Sequence, residues 1–284
     1  MNDYRIYAFA DEANPMVDQQ IEAMLRNGLQ GLEIRGVDGT NIVEITEDKA
    51  REVRRKLDDH GLSVWSIGSP IGKIYIQGDD FEKHLDQLKH VVDLAHILGA
   101  ENIRMFSFYM PEGGDPAQYR NCVLDRLHRM VETVRGSGVA LCHENEKGIY
   151  GDIAVRCAEI LREVPELEGV FDPANFIQVG QKTLEAWELL RDRIKYMHIK
   201  DAVWDGSVVP AGKGDGHVPE IVRAYIAKGG RDMTVEPHLM TFGGLKALER
   251  EGQKSQLGGV YVFENADVAF DAACHALREI LETA

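Results

Sequence analysis

The sequence predicts one closed (β/α)8 barrel, and three observations predict it. Short apolar runs alternate with amphipathic stretches from end to end of the 284 residues. The amphipathic stretches repeatedly close on a glycine, as helices do before turning back into a strand. The usual marker of the rival architecture, a doubly wound open sheet, is missing: no G-x-G-x-x-G follows the first run and no G-x-x-x-x-G-K-[ST] occurs anywhere. Alternating βα units imply parallel strands with right-handed crossovers. Eight such units in a chain of this length fit a barrel whose chemistry sits at the C-terminal strand ends. No linker or low-complexity tail interrupts the pattern, so residues 1–284 read as one domain.

In order, Arg5 to Ala10 is the first strand, and Asn14-Pro15 offers a cap and a first-turn proline for a helix whose stripe is Val17, Ile21, Met24 and Leu25. Gly31 to Arg35 is the second strand. Thr46 caps the next helix, with Ala50, Val53 and Leu57 facing inward. Leu62 to Ile67 is the third strand. Phe81, Leu85, Leu88, Val92, Ala95 and Leu98 mark a long helix that stops at Gly99. Asn102 to Phe106 is the fourth strand, followed by a helix through Tyr119, Val123, Leu127, Met130 and Val134. The fifth strand ends at Glu144, a helix spans about Ile153 to Val164, and the sixth strand ends at Asp172. A helix through Leu184, Trp187 and Leu190 leads to the strand around His198, and one from Val218 to Ala227 leads to the strand ending at Glu236. Phe270 to Leu281 closes the chain. Two connections exceed an ordinary βα loop, Ser107 to Pro116 and Pro237 to Asn265, and both follow strand C-terminal ends, where a lid would lie.

Composition narrows the function. The net charge of −15, from 32 basic and 47 acidic residues, repels polyphosphate and argues against a nucleic-acid enzyme. No apolar run approaches the ~18 residues of a membrane span, and Met1-Asn2-Asp3-Tyr4-Arg5 has no signal-peptide pattern. Cys122, Cys142, Cys157 and Cys274 are scattered without a C-x-x-C pair, as reduced thiols of a cytoplasmic protein are.

The chemistry gathers at four strand ends. Cys142-His143-Glu144, Val170-Phe171-Asp172, Met197-His198 and Thr234-Val235-Glu236 each end an apolar or β-branched run in one carboxylate or imidazole. Singly each is ordinary: a solvated loop glutamate, an Asx turn, a core histidine, a strand terminus held by the following proline. Together Glu144, Asp172, His198 and Glu236 end strands five to eight, so a barrel brings them to one side of its mouth. Carboxylates so clustered repel each other unless a cation neutralises them. Three carboxylates and one imidazole suit one divalent ion, manganese first, with magnesium, cobalt or zinc as alternatives.

The motifs Phe9-Ala10-Asp11-Glu12, Gly31-Leu32-Glu33-Ile34-Arg35, Leu141-Cys142-His143-Glu144-Asn145-Glu146, Phe171-Asp172-Pro173-Ala174-Asn175, His198-Ile199-Lys200-Asp201, Gly212-Lys213-Gly214-Asp215 and Val235-Glu236-Pro237-His238 run along most of the chain. In this order they resemble the xylose isomerase-like barrel superfamily, in particular its sugar phosphate isomerase/epimerase branch. The resemblance implies that Glu144, Asp172, His198 and Glu236 hold the metal and that Glu144 and Glu236 are also the acid/base pair. Such a pair moves a proton beside a polarised carbonyl, giving epimerisation, isomerisation or, with loss of a β-hydroxyl, dehydration. The expected activity is therefore a metal-dependent sugar isomerase or epimerase. The alternative is a lyase or dehydratase on a keto-sugar or inosose, and a third reading is a barrel kept only for binding. Glu146, Asn175, Lys200, Asp201 and His238 are the expected substrate contacts, with Lys73 and Lys213 as further mouth residues. Arg35 and Arg104, at strand ends, can pair with carboxylates inside the barrel. Two departures from the ketose 3-epimerase pattern stand out: Asn175 where those enzymes carry histidine, and Trp204 where they carry arginine. A histidine-rich multi-metal endonuclease site is not matched. The expected partner is a small carbohydrate, not nucleic acid or membrane, with homo-oligomerisation left open.

Overall fold

Each predicted apolar run becomes a strand of one closed parallel barrel, and these strands are numbered β1 to β8 here. They are β1 (Arg5–Ala8), β2 (Gly31–Ile34), β3 (Ser63–Ile67), β4 (Asn102–Met105), β5 (Ala140–Glu144), β6 (Glu168–Phe171), β7 (Ile194–Ile199) and β8 (Asp232–Val235). The computed structural model describes residues 4–242 and 261–283. Every neighbouring pair is parallel, and β1 closes on β8 through the register Arg5↔Asp232 to Ala8↔Val235. The strands are short and almost wholly buried, because helices cover the outside and side chains fill the inside.

The helices lie in the connections: α1 (Val17–Arg26), α2 (Glu47–Asp59), α3 (Phe81–Leu98), α4 (Arg120–Val134), α5 (Ala154–Glu163), α6 (Pro173–Gln178), α7 (Thr183–Leu190), α8 (Val218–Ala227) and α9 (Ala266–Glu282). Thr46 caps α2 as expected, its hydroxyl accepting the Lys49 N–H. Gly99 ends α3 at φ +72°, a left-handed position where a side chain would be strained. The start of α1 differs from expectation. The Asn14 side chain accepts the Met16 N–H, and the first helical N–H, that of Val17, goes to Asp38 twenty-one residues on. A distant carboxylate has replaced the local cap. The short helix α6 is also unforeseen: Asp172 is its N-cap, accepting the Asn175 N–H at 2.9 Å, and Pro173 takes the first turn.

The connection Ser107–Pro116 is no free flap. Phe108, Tyr109 and Met110 are buried, and their backbone bonds run to Gly72, Ile74 and Gly148 of the neighbouring connections. Gly72 is required there, since a Cβ would stand 2.0 Å from the Phe106 carbonyl oxygen. Of the second long connection, Gly243-Gly244 and Gly258-Gly259 lie outside the described residues. Among the described residues no helix is long and apolar enough to cross a membrane, and all four cysteines are free thiols.

Candidate metal centre

Strand side chains alternate between the two faces of a sheet, so the residues inside a closed barrel recur every second position. Tyr7, Trp65, Cys142, Val170 and Tyr196 form a buried cluster from five different strands, which only the barrel interior can bring together. Two positions further along β5, β6 and β7 come Glu144, Asp172 and His198, and a further step of two gives Lys200. Parity therefore delivers the polar residues to the interior directly above an aromatic floor, in which Tyr7 stacks on Trp65 at 5.4 Å and Tyr196 meets Trp65 edge-on.

The four expected ligands converge. One donor atom from each of Glu144, Asp172, His198 and Glu236 lies within 4.8 Å of the others, and all four residues are buried. His198 Nδ1 stands 3.0 Å from Glu144 Oε1, 3.3 Å from Glu236 Oε2 and 4.0 Å from Asp172 Oδ2. Its other nitrogen, Nε2, lies 3.0 Å from Glu33 Oε2. Glu33 also accepts from the Tyr196 hydroxyl, at 2.9 Å. This is the arrangement by which an outer carboxylate fixes the tautomer of a ligating imidazole. Burial opposes charge on His198, but Glu144 and Glu33 outweigh it and hold its pKa well above the usual value.

Basic residues brace the carboxylates. Arg104 donates to Glu144 Oε2 at 3.1 Å and to the Gly68 carbonyl. Arg35 donates to Asp11 and Glu12, each at 3.0 Å, and its Nη1 stands 3.5 Å from Glu236 Oε1. Lys200 Nζ sits 2.8 Å from Asp172 Oδ2 and 2.9 Å from Glu236 Oε2. Although these two carboxylates share one ammonium, they respond in opposite directions. Burial, with Glu236 and Glu144 nearby, pushes Asp172 up to about 8. Glu236 is also penalised by burial, but Lys200 and His238 hold it well below the usual carboxylate range. The difference lies in the neighbours: Asp172 faces the carboxylates of Glu236 and Glu144 as well as Lys200, whereas Glu236 is faced by Lys200, His238 and His198.

The charges of the mouth leave room for a cation. Asp11, Glu12, Glu33, Glu144, Asp172 and Glu236 are buried here against the buried cations Arg35, Arg104 and Lys200. With His198 neutral and all six carboxylates ionised, since ligands must be deprotonated, six carboxylates against three cations leave an excess of three negative charges. The donor set and its excess charge both suit a divalent ion. A second trio, Glu12, Glu236 and His238, also comes within 4.8 Å. Arg35 already lies among its carboxylates.

The expected substrate contacts divide. Lys200 is in the centre. Asn175 is buried beside it, donating to Glu144 Oε1 at 3.2 Å and to the Asn145 carbonyl. Glu146 pairs with Lys73 at 3.0 Å on the rim. His238 takes a left-handed φ of 44°, stacks on Phe242 and faces Glu12 and Glu236. Asp201 is turned elsewhere: its two oxygens accept the N–H groups of Ala202, Gly212, Gly214 and Gly216. It clasps the Gly212–Gly216 loop rather than facing the ligands. Trp204 is half exposed on a small hairpin, Asp201–Ala202 with Val208–Val209. Sequence reasoning missed Glu33, and the available signal was its same-face spacing with Arg35.

A family described as a xylose isomerase-like TIM barrel matches residues 21–250. No curated protein sequence matches significantly. Among solved structures the chain is similar to the probable 3-DHS dehydratase AsbF of petrobactin synthesis from Bacillus anthracis, at 17% identity and TM-score 0.73, covering 98% of this chain and 99% of that one. It is also similar to a D-allulose 3-epimerase from Methylomonas sp., at 13% identity and TM-score 0.73 with 99% of both chains covered. A third similar structure is a xylose isomerase-like TIM barrel protein from Mycobacterium smegmatis in complex with magnesium, at 16% identity and TM-score 0.68, covering 93% of this chain and 88% of that one. At these identities the likeness is one of fold.

Proposed function

Because the chain belongs to the xylose isomerase-like TIM-barrel family, we propose that it is a divalent-metal-dependent isomerase or epimerase of a sugar or sugar derivative. One observation carries this reading. Glu144 Oε1 and Glu236 Oε2, reaching in from β5 and β8, lie 3.0 and 3.3 Å from the same nitrogen, His198 Nδ1, and so flank one point. Glu144, Asp172, His198 and Glu236 would hold the ion, with manganese our first choice. When bound, it supplies a Lewis acid that polarises a carbonyl and its neighbouring hydroxyl.

The chain's own residues handle the proton. Lys200 keeps Glu236 ionised, so a Glu236 oxygen accepts the proton from the carbon beside the carbonyl. Arg104 and Asn175 hold the two oxygens of Glu144, aiming it from another strand. Entering the step protonated, Glu144 delivers that proton while Glu236 keeps the one it took, and exchange with solvent resets the pair. Return to the opposite face of the same carbon gives an epimer, and return to the neighbouring carbon gives an isomer. Lys200, Glu146 and His238 meet the substrate's remaining oxygens. Burial of the whole set excludes bulk water and strengthens each of these interactions.

A dehydratase is the second reading, and Asn175 and Trp204 favour it. Asn175 is committed to Glu144 and the backbone, and Trp204 points half into solvent, so the contacts that ketose 3-epimerases draw from those positions are lacking. One experiment separates the readings. The manganese-loaded protein is incubated with ketoses, inososes and 3-keto sugars in D2O and followed by proton NMR. Deuterium entering at one carbon, with constitution otherwise kept, is expected, and Glu236→Gln should lower its rate roughly 10²–10⁴-fold. Loss of water from the product selects the dehydratase. A metal-loaded protein that neither exchanges nor transforms any of them removes both readings.

A further inference from the structure

We propose that the barrel carries, at the end opposite its mouth, a binding cleft for a small phosphorylated metabolite. A cleft of about 530 Å³ opens where β1, β8 and β7 begin, beneath the ends of α7 and α8. That volume lies within the range of small-molecule sites and exceeds what a lone oxyanion needs.

Its lining reverses the charge of the molecule. The chain as a whole has 47 acidic residues to 32 basic ones. The cleft presents five cationic side chains against two carboxylates. Three of the five are accounted for locally. Arg5 pairs with Asp232 at 2.6 Å, Lys228 pairs with Asp192, and Arg191 pairs with Glu188 at 2.9 Å at the end of α7. Lys195 and Arg231 remain. Both are half-buried, and among the described residues neither has a carboxylate within ion-pair distance; Arg231 donates only to the carbonyl of Gly230, its own neighbour.

Two half-buried cations without an ion-pair partner among the described residues, in one concave site, suit an anion with several acceptor oxygens. A phosphate monoester dianion matches both charges, whereas a single carboxylate would leave one unmatched. The cleft's volume is that of a small-molecule site, and its cations lie within one depression rather than along an extended track or a flat face. The cleft is independent of the metal centre, although β7 and β8 run from Lys195 and Asp232 at its edge to His198 and Glu236 at the other end.

The test is calorimetric titration of the full chain with glucose 6-phosphate and with inorganic phosphate, at constant ionic strength, with glucose as the neutral control. Saturable binding of the phosphates and none of glucose is expected. Lys195→Gln and Arg231→Gln should each weaken it at least tenfold, while Lys200→Gln in the mouth leaves it unchanged. Each variant is checked by circular dichroism, and using two single variants keeps the result readable if one fails to fold. Absence of saturable phosphate binding overturns the proposal. So does binding that survives both Lys195→Gln and Arg231→Gln, or that is lost only in Lys200→Gln, which would put the phosphate in the mouth.

Discussion

Glu33 shows what a single side chain contributes. It touches no candidate ligand oxygen, yet it receives His198 Nε2 at 3.0 Å and the Tyr196 hydroxyl at 2.9 Å, and so sets which imidazole nitrogen faces the carboxylates. Glu33→Gln should leave the protein folded and weaken manganese binding about 10–100-fold, as read by calorimetry. Undiminished affinity would mean that the imidazole is oriented without it. The four ligand candidates were legible in the sequence because each ends an apolar run. Glu33 was not, since a carboxylate buried in mid-strand looks like an error until its partner, a histidine more than 160 residues away, is known. Asp201 misled for the opposite reason: standing beside Lys200 it looks like a mouth residue, but four backbone N–H groups claim it.

At the scale of elements, the connections are tied to helices by buried polar bonds. His84 of α3 accepts the Gly72 N–H through Nε2 at 2.7 Å, pinning the connection after β3 to the helix that follows. Burial lowers the His84 pKa to about 4. An unfolded histidine titrates near ~6.5, so between these values the unfolded chain binds more protons. Stability should therefore fall as pH drops from about 6.5 to about 4, with His84 contributing about 1.4 kcal/mol per pH unit, and level off for this group below that. Urea unfolding at several pH values should show a slope in the parent that is shallower by that amount in His84→Gln. Equal slopes would assign the acid sensitivity elsewhere. Strand and helix order was legible because short apolar runs and period-3.6 stretches alternate cleanly. The capping of α1 by Asp38 was not, because a long-range bond leaves no local trace.

For the whole molecule, the excess of buried negative charge predicts that the metal is part of its stability. An ion that binds only the folded state adds about 2.7 kcal/mol at a hundred times its Kd, which for a chain of this size amounts to a rise in melting temperature on the order of 5 °C. The comparison is a thermal melt of the EDTA-treated protein with and without added manganese. An unchanged melt at saturating metal would show that Lys200, Arg35 and Arg104 already neutralise the site. The barrel itself was legible in the sequence because its eight units repeat. The use of its opposite end was not, since Lys195 and Arg231 come together only when β7 and β8 pair.

The clasp at Asp201 reaches further than the loop it holds. A Cβ at Gly214 or at Gly216 would come within 2.5 Å of its carboxylate, so that segment can neither slide nor accept a side chain without dislodging it. Asp201 is joined by one peptide bond to the residue whose ammonium stands between Asp172 and Glu236. The rim and the candidate metal centre thus turn on a common pivot, and whatever tugs on the glycine-rich segment from outside will be felt as a change in spacing among the innermost charges.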